Sequence, residues 1–539
     1  MAILKDLQVA IPPKSFLQGK DNMKYVYVYT NFYRNENKKT RNNSLCIGKQ
    51  IENTNMMNPN NNYYSYFNIK KDKELIDYQI YKVGYSYLVE QCFNETGLNK
   101  ILEDVFGSEI AQSIKVIASY IVQGGISMSY VDNFMEEHFF GSDYRLITSR
   151  YASELFVKII NIGLDDFFKK WIKRTVGKDY ICYDVTSIST YSNLITQAEY
   201  GYNRDHEDLK QINLGLFTVE ATKIPVYYEN YNGSLTDKTN LLNVVKNAKI
   251  KGIKNIKLVM DGGFFDRERL TELVKSNLTF TIGIPGNLNE TKVIIKEYGT
   301  DLYKLSNTTD YPDTFGKIID YEIFGIKGKV FIGMDTNNRN LKLGELRSKI
   351  ARYEYELKHS RKKYTTVIKE RKYTDLFTIN EKDNSKGFTF EVNEEKIENI
   401  SYNYGYFLVF TTDFNATANN IIHYYREKDI DEKMFYALKN YNDLDRLRTH
   451  QQKTTDGKLF VAFISLILRS WLNSKLCEYK KRTHLSLKKI ILKISDIQYL
   501  SSKNEVRCLK SMTKEQKEIL DIFLINTEDF DKKIKKSLT

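Results

Sequence analysis

The chain has 539 residues, 42% hydrophobic and 13% aromatic, which is enough for roughly three or four domains with sizeable cores and too apolar for a disordered chain. Lys and Arg number 81 against 68 Asp and Glu, and the resulting +13 points to a polyanionic partner, most simply nucleic acid. Five dispersed cysteines (Cys46, Cys92, Cys182, Cys477 and Cys508) without a CxxC pair exclude a disulfide scaffold or a thiolate zinc cluster.

The N-terminal MAILKDLQVAIPPK has no signal-peptide core. The longest apolar run, Leu459 to Leu468, is ten residues with a serine inside, against about twenty needed to cross a bilayer. A soluble, cytoplasmic protein with no membrane partner is therefore expected. Residues 24–50 alternate as a β-hairpin around the polar NENKKTRNN, and the Asn-rich 51–65 reads as a linker. From about 80 to 176, apolar residues recur three and four apart, as in a small helical domain. Such a domain ahead of an enzyme core is either a DNA-binding element or a plain helical bundle.

The pattern changes at 177. DYICYDVTSI (179–188), INLGLFTV (212–219) and IPVYYENY (224–231) read as three strands, followed by a helix at 239–249. NIKLVMDGG (255–263) is a buried strand ending in Asp-Gly, RERLTELVKSN (267–277) a helix, and TFTIGIP (279–285) a fifth strand. Three consecutive strands followed by helix-strand alternation is the order of a ribonuclease H-like α/β fold, with a mixed five-stranded sheet flanked by helices. Residues 286–404 interrupt it with strand-like pieces and a long charged helix near 345–371, which carries nine Lys/Arg and four Asp/Glu. GYFLVFTTD (405–413) resumes the core, and a helical pattern runs from Asn415 to about Asn440. The apolar KLFVAFISLILRSWLNSKL (458–476) reads as a buried helix with Trp471 in the core. The tail from 477 carries fifteen Lys/Arg and nine Asp/Glu. The expected divisions are 1–75 (hairpin and linker), 76–176 (helical), 177–285 and 405–480 (the two parts of the core), 286–404 (inserted β-rich and helical subdomain) and 481–539 (basic tail).

Asp184 ends the first core strand and Asp261 the fourth, and the inferred order makes those strands neighbours. Two like charges at adjacent strand ends invite a divalent cation. A third acid, Glu432, lies on the helix after the last strand and would complete an oxygen site for two Mg²⁺ ions. Taken singly, an Asp at a strand end is usually a turn or cap residue. On that helix Tyr425, Lys428, Glu432 and Lys439 fall near 0°, 300°, 340° and 320° at about 100° per residue. They share one face, which either puts the acid on a metal and the bases on phosphates or is a solvated polar face.

YDVTSIST, GYNRDHEDLKQINLGL, LVMDGGFFDRERL and YYREKDIDEKMFYALK together resemble the DDE transposases of bacterial insertion sequences. More narrowly, the chain resembles the group with a β-rich insertion before the Glu and the signature Y-x2-R-x3-E-x6-K. Tyr425, Lys428, Glu432 and Lys439 match that spacing, with Lys in place of Arg. Gly262 stands where many relatives carry Arg. The resemblance implies that Asp184, Asp261 and Glu432 are both catalytic residues and metal ligands for two Mg²⁺ ions, with Mn²⁺ able to substitute. It also implies phosphate contacts by Tyr425, Lys428, Lys439, Arg448 and His450. The partners it implies are double-stranded DNA, as the element's terminal inverted repeats and as target, and a second copy of the chain on DNA. The alternatives are a decayed or repurposed DNA-binding relative and a structure-specific nuclease on the same core.

Overall fold

The computed structural model describes residues 8–20, 23–34, 40–52, 54–68, 78–125, 127–141, 144–177, 181–203, 207–235, 237–253, 257–382, 387–427, 435–436, 438–439, 446–502 and 506–538. They fall into two compact units, Met1–Ile80 with Leu500–Arg507, and Tyr81–Tyr499 with Cys508–Leu538. In the first, β1 (Val9–Ala10), β2 (Ser15–Lys20), β3 (Met23–Arg34), β4 (Thr40–Gln50) and β5 (Met56–Pro59) form an antiparallel sheet in the order β1-β5-β4-β3-β2. The alternation of β3 puts Val26 and Val28 on one face, where they pack with Ile47 and Met57. The segment expected to be a linker is therefore structured. Met57 is a fully buried core residue of β5. Asn60 caps the short α1 (Asn61–Tyr66) by accepting from the Asn62 and Tyr63 amides.

The chain passes into the second unit within β6 (Tyr78–Lys82), which leads into α2 (Gly84–Thr96), α3 (Leu98–Phe106), α4 (Ser108–Gln123), α5 (Val131–Glu137), α6 (Ser149–Ile162) and α7 (Asp165–Thr175). Left-handed glycines at 97 and 124 end α2 and α4, where a side chain would be strained. The chain then makes β7 (Ile181–Thr190), β8 (Lys210–Val219), β9 (Pro225–Asn232), α8 (Asp237–Lys251), β10 (Lys257–Met260), α9 (Arg267–Lys275) and β11 (Thr279–Ile284), in the expected succession. Next come α10 (Asn289–Tyr298) and the hairpin β12 (Thr314–Ile323) and β13 (Ile326–Asp335).

The sheet has eight strands rather than the expected five, ordered β12-β13-β16-β11-β10-β7-β8-β9, where β16 is Tyr406–Thr411. The extra strands have a physical cause. Phe-Leu-Val-Phe (407–410) beside β11 would leave an apolar edge open to pairing with other chains. The β12–β13 hairpin covers it, and its two-residue turn, Phe324-Gly325, has φ of 57° and 81°, as a primed turn requires. The first strand-like pieces of the insertion thus belong to the main sheet.

The long helix expected at 345–371 is also different. α11 (Thr336–Lys358) starts at an Asp335 cap and stops at His359. After it come the single-turn α12 (Tyr364–Val367) and α13 (Arg371–Thr374), the ribbon β14 (Phe377–Glu381) and β15 (Phe388–Val392), and α14 (Glu394–Ser401). The reversal lets Val367, Tyr373, Leu376 and Phe377 pack on Leu346, Tyr353 and Leu357. A straight helix would have carried Val367 about 15 Å beyond Leu357.

α15 (Ala418–Glu427) lies on the main sheet. α16 (Gln452–Lys475) is buried on all sides from Gly457 to Leu472, as an apolar helix without a polar face must be. It packs on α4, α6 and β9. Gly457 lets it close on α6, because a Cβ there would strike the Phe156 carbonyl. Trp471 is buried with its indole N–H donating to Glu95 (3.2 Å). α17 (Cys477–Thr483), α18 (Leu487–Ser495), β17 (Gln498–Ser502), β18 (Val506–Cys508), α19 (Lys514–Ile522) and α20 (Thr527–Leu538) complete the chain. Among the described residues, no single helix is long and apolar enough to cross a membrane.

Candidate functional site

The sheet register defines the site. Parallel pairing of β7 with β10 matches Ile181 to Leu258 and Cys182 to Val259. The same offset sets Asp184 level with Asp261, the residue after β10. Pairing of β10 with β11 matches Met260 to Ile282, so Gly283 is level with Asp261. Gly283 opposes Val409, which opposes Phe331. On the other side Asp184 opposes Leu216, and Leu216 opposes Tyr228. One row therefore crosses the sheet from Phe331 to Tyr228, and residues of a row share a face. Neighbouring strands lie about 4.8 Å apart, so the register places the two aspartates about one strand spacing apart on that face.

Their settings differ. Asp184 is 7% exposed and its Oδ1 accepts from the Val185 amide (2.8 Å). It does not end its strand, as expected, but sits inside it. β7 continues six residues to Thr190 because its distal half stays paired with β8. Asp261 is exposed and caps the turn Gly262–Phe264 through the Gly262 amide (2.7 Å). One acid is thus held in the sheet and the other at its open end.

α15 covers the same face. Ile421 and Ile422 pack on Phe331 and Val409. Tyr424 packs on Cys182 and Val259, each two residues before an aspartate and so on its face. The Tyr425 ring stacks on Phe407 with centroids 6.3 Å apart, and its hydroxyl reaches Gly283. A Cβ at 283 would collide with that hydroxyl. The missing side chain therefore admits the Tyr425 oxygen into the aspartate row, one strand from Asp261.

Two neighbours fix the helix. Arg426 donates to Thr314 Oγ1 and Asp335 Oδ2 (3.0 Å) and lies 4.6 Å from the centre of the Tyr311 ring. His423 Nε2 is 3.1 Å from Glu220 Oε1. Arg426, His423 and Gly283 escaped the sequence reading. Arg426 stands next to the signature tyrosine in YYREK and was its one available signal.

Lys428 and Glu432 lie outside the described residues. Lys439 is helical and half-buried beside the buried Leu438. Arg448 and His450 occupy a segment along β7. There the Leu447 amide donates to the Ser189 carbonyl (3.2 Å), and Ser192 Oγ donates to the His450 carbonyl (3.1 Å). Leu447 and Thr449 turn inward while Arg448 and His450 are exposed. Arg448 adopts φ 47°, and both residues line a cavity of about 360 Å³. Their anchor, Ser189, is five residues or about 17 Å along β7 from Asp184. Asp184, Asp261 and Tyr425 converge, then, whereas Arg448 and His450 flank them.

Among the described residues, no group of three or more His, Cys, Asp or Glu side chains could hold a metal ion. The pair Asp184 and Asp261 supplies hard oxygen donors of like charge, the chemistry that magnesium or manganese takes.

The family described as "Transposase DDE domain" matches residues 176–468, just over half of the chain and all of the row above. No curated protein sequence matches. Among solved structures, the cryo-EM structure of the piggyBac transposase synaptic complex with hairpin DNA covers 84% of this chain and 82% of its own. At 11% identity and a TM-score of 0.36, that likeness is too loose to inform the site. The matched segment begins just before β7 and runs through the aspartate row into α16, and by that match this chain belongs to the DDE transposase family.

Proposed function

We propose that this transposase binds the ends of an insertion sequence, cleaves them and joins them to target DNA by two-metal phosphoryl transfer on a ribonuclease H-like core. The observation that carries the reading is the register that sets Asp184 beside Asp261 within the matched segment. The contiguous order β9-β8-β7-β10-β11, from one edge of the sheet inward, supports the core assignment. Asp184, Asp261 and Glu432 would hold two Mg²⁺ ions, with Mn²⁺ as a substitute. When bound, such ions neutralise the reacting phosphate and lower the pKa of the attacking hydroxyl.

The chain's own residues do the rest. Asp184, fixed in the sheet, and Asp261, at the open strand end, orient the reacting phosphate over β7 and β10. The Tyr425 hydroxyl donates to a phosphate oxygen near the cut. Lys428 and Lys439 add positive charge, and Arg448 and His450 hold the duplex farther along β7. Water attacks first and leaves a free 3′-hydroxyl, which then attacks DNA directly without a covalent enzyme intermediate. The helical segment 76–176 and the basic α11 region grip the ends. The protein acts in the cytoplasm as a homodimer on paired ends.

A strand-transfer assay on inverted-repeat DNA with Mg²⁺ tests this. Wild type should join ends, and Asp184→Asn and Asp261→Asn should each fall to background. A chain that cuts but never joins is a nuclease, and one that does neither is a binding protein. Cutting by Asp184→Asn at the wild-type rate would refute the site. Trapped hairpin-ended element DNA would support excision through a hairpin, and clean 3′ nicks alone would exclude that route.

A further inference from the structure

A second cavity, of about 470 Å³, opens between α6, α7, α8, β9 and α16. Its floor is aromatic. Phe168 packs against Tyr227 and Tyr228, with centroids 5.0 and 5.6 Å away. Two carboxylates face it. Glu229 accepts from Asn247 (2.7 Å) and Tyr227 (3.3 Å), and Asp456 accepts from Asn230 and Gln452 (both 2.9 Å). All four donors are neutral. No cationic side chain among the described residues pairs with either acid, and Lys251 at the rim is bound to Asp165. Burial pushes both carboxyls above their ordinary range, and among charged groups only the more distant Lys251 pulls Glu229 back.

Tyr228 supplies an independent observation. It is 6% exposed and lines the cavity within electrostatic reach of Asp456. Its hydroxyl has no hydrogen-bond partner among the described residues and is accessible from the cavity that the residue lines. It has a lone pair free to accept from a ligand.

We propose that this cavity binds a small organic cation, an alkylammonium or guanidinium group, between the Glu229 and Asp456 carboxylates and against the tyrosine rings. The aromatic faces favour a cation once it is desolvated, and the two carboxylates supply what neutral amides cannot. A DNA phosphate is excluded by the same negative charge, so the site is separate from the phosphoryl-transfer row. Tyr228 shares that row but lies two strands, about 10 Å, from Asp184.

The test is calorimetric titration of the full-length protein with n-butylammonium, with 1-butanol as the neutral analogue. Butylammonium should bind at least tenfold more tightly. Asp456→Asn and Glu229→Gln should each weaken it at least fivefold, and Tyr228→Phe, which keeps the ring, about threefold. A thermal melt of each variant confirms that it is folded. Nα-acetyl-lysine amide distinguishes the sources of the group. Tighter binding than butylammonium assigns the pocket to a basic side chain of a protein, and weaker binding assigns it to a free amine. Equal affinity for 1-butanol, or unchanged butylammonium affinity in folded Asp456→Asn and Glu229→Gln, would overturn the proposal.

Discussion

A glycine decides where the signature tyrosine ends. Asp184 and Asp261 reach one row through pairing that any strand residues could make, but Tyr425 enters it only because residue 283 has no Cβ. Gly283→Ala should therefore behave as an overpacking change, costing about 1–3 kcal/mol and displacing the hydroxyl. Denaturant unfolding should show that loss, and strand transfer should fall with it. Adding Tyr425→Phe removes the nearest atom that the new methyl strikes, the hydroxyl oxygen, but leaves Cε2 and Cζ at 2.9 and 3.0 Å, so stability should recover in part in the double variant while strand transfer stays low. Full stability of Gly283→Ala alone would show that Tyr425 does not need the gap. The aspartates were legible because each follows a short apolar run, although only Asp261 lies at a strand end. Gly283 was not, because TFTIGIP reads as an ordinary strand and the need for glycine comes from a helix that folds back from 142 residues later.

At the scale of the element, α15 is set by partners outside the family signature. The 3.6-residue period predicted the helix, which is described over Ala418–Glu427. The side chains that lock its rotation face away from Tyr425. Arg426 ties α15 to β12 and β13 through Thr314 and Asp335. This also explains why the insertion was only half legible. Its first strands read as pieces of a subdomain, but β13 is buried from Val330 to Met334 because it extends the main sheet, a long-range pairing that leaves no local mark. Arg426→Ala should cost about 1–3 kcal/mol, since it removes charge-assisted bonds to a partly buried carboxylate. Amide hydrogen exchange should quicken in α15 and β12 more than in α16. Uniform acceleration across both regions would mean that Arg426 serves global stability instead of holding the helix.

For the molecule as a whole, the helices before β7 and the matched segment share one core. α16 lies between α4, α6 and β9, and the Trp171 indole donates to the Pro225 carbonyl (3.0 Å) across the α7–β9 contact. A change deep in the N-terminal helices should therefore be felt at the sheet. His138 offers such a change. It is 3% exposed and stacks on Phe134, with Nδ1 donating to the Phe134 carbonyl (3.0 Å). Gln123 Nε2 lies 3.2 Å from its other nitrogen and also donates to Ser495. A proton on Nε2 would face an amide that already points its hydrogens there. Burial first, and then nearby Lys82, hold the imidazole down to about 4 from the usual 6.5, against the opposing pull of the Phe134 carbonyl. The unfolded chain thus takes up this proton at higher pH than the folded one. The stability that neutral His138 supplies is complete above pH 6.5 and is lost as pH falls from 6.5 through 4, by about 3 kcal/mol in all. Both tryptophans, Trp171 and Trp471, lie in this unit, so intrinsic fluorescence follows it in denaturant. One transition is expected, with a midpoint that drops between pH 6.5 and 4. His138→Gln, neutral throughout, should lower the midpoint at pH 7 and flatten its pH dependence. A variant that keeps the wild-type slope would place the acid sensitivity elsewhere, and two separate transitions would show that the helices and the sheet do not fold as one.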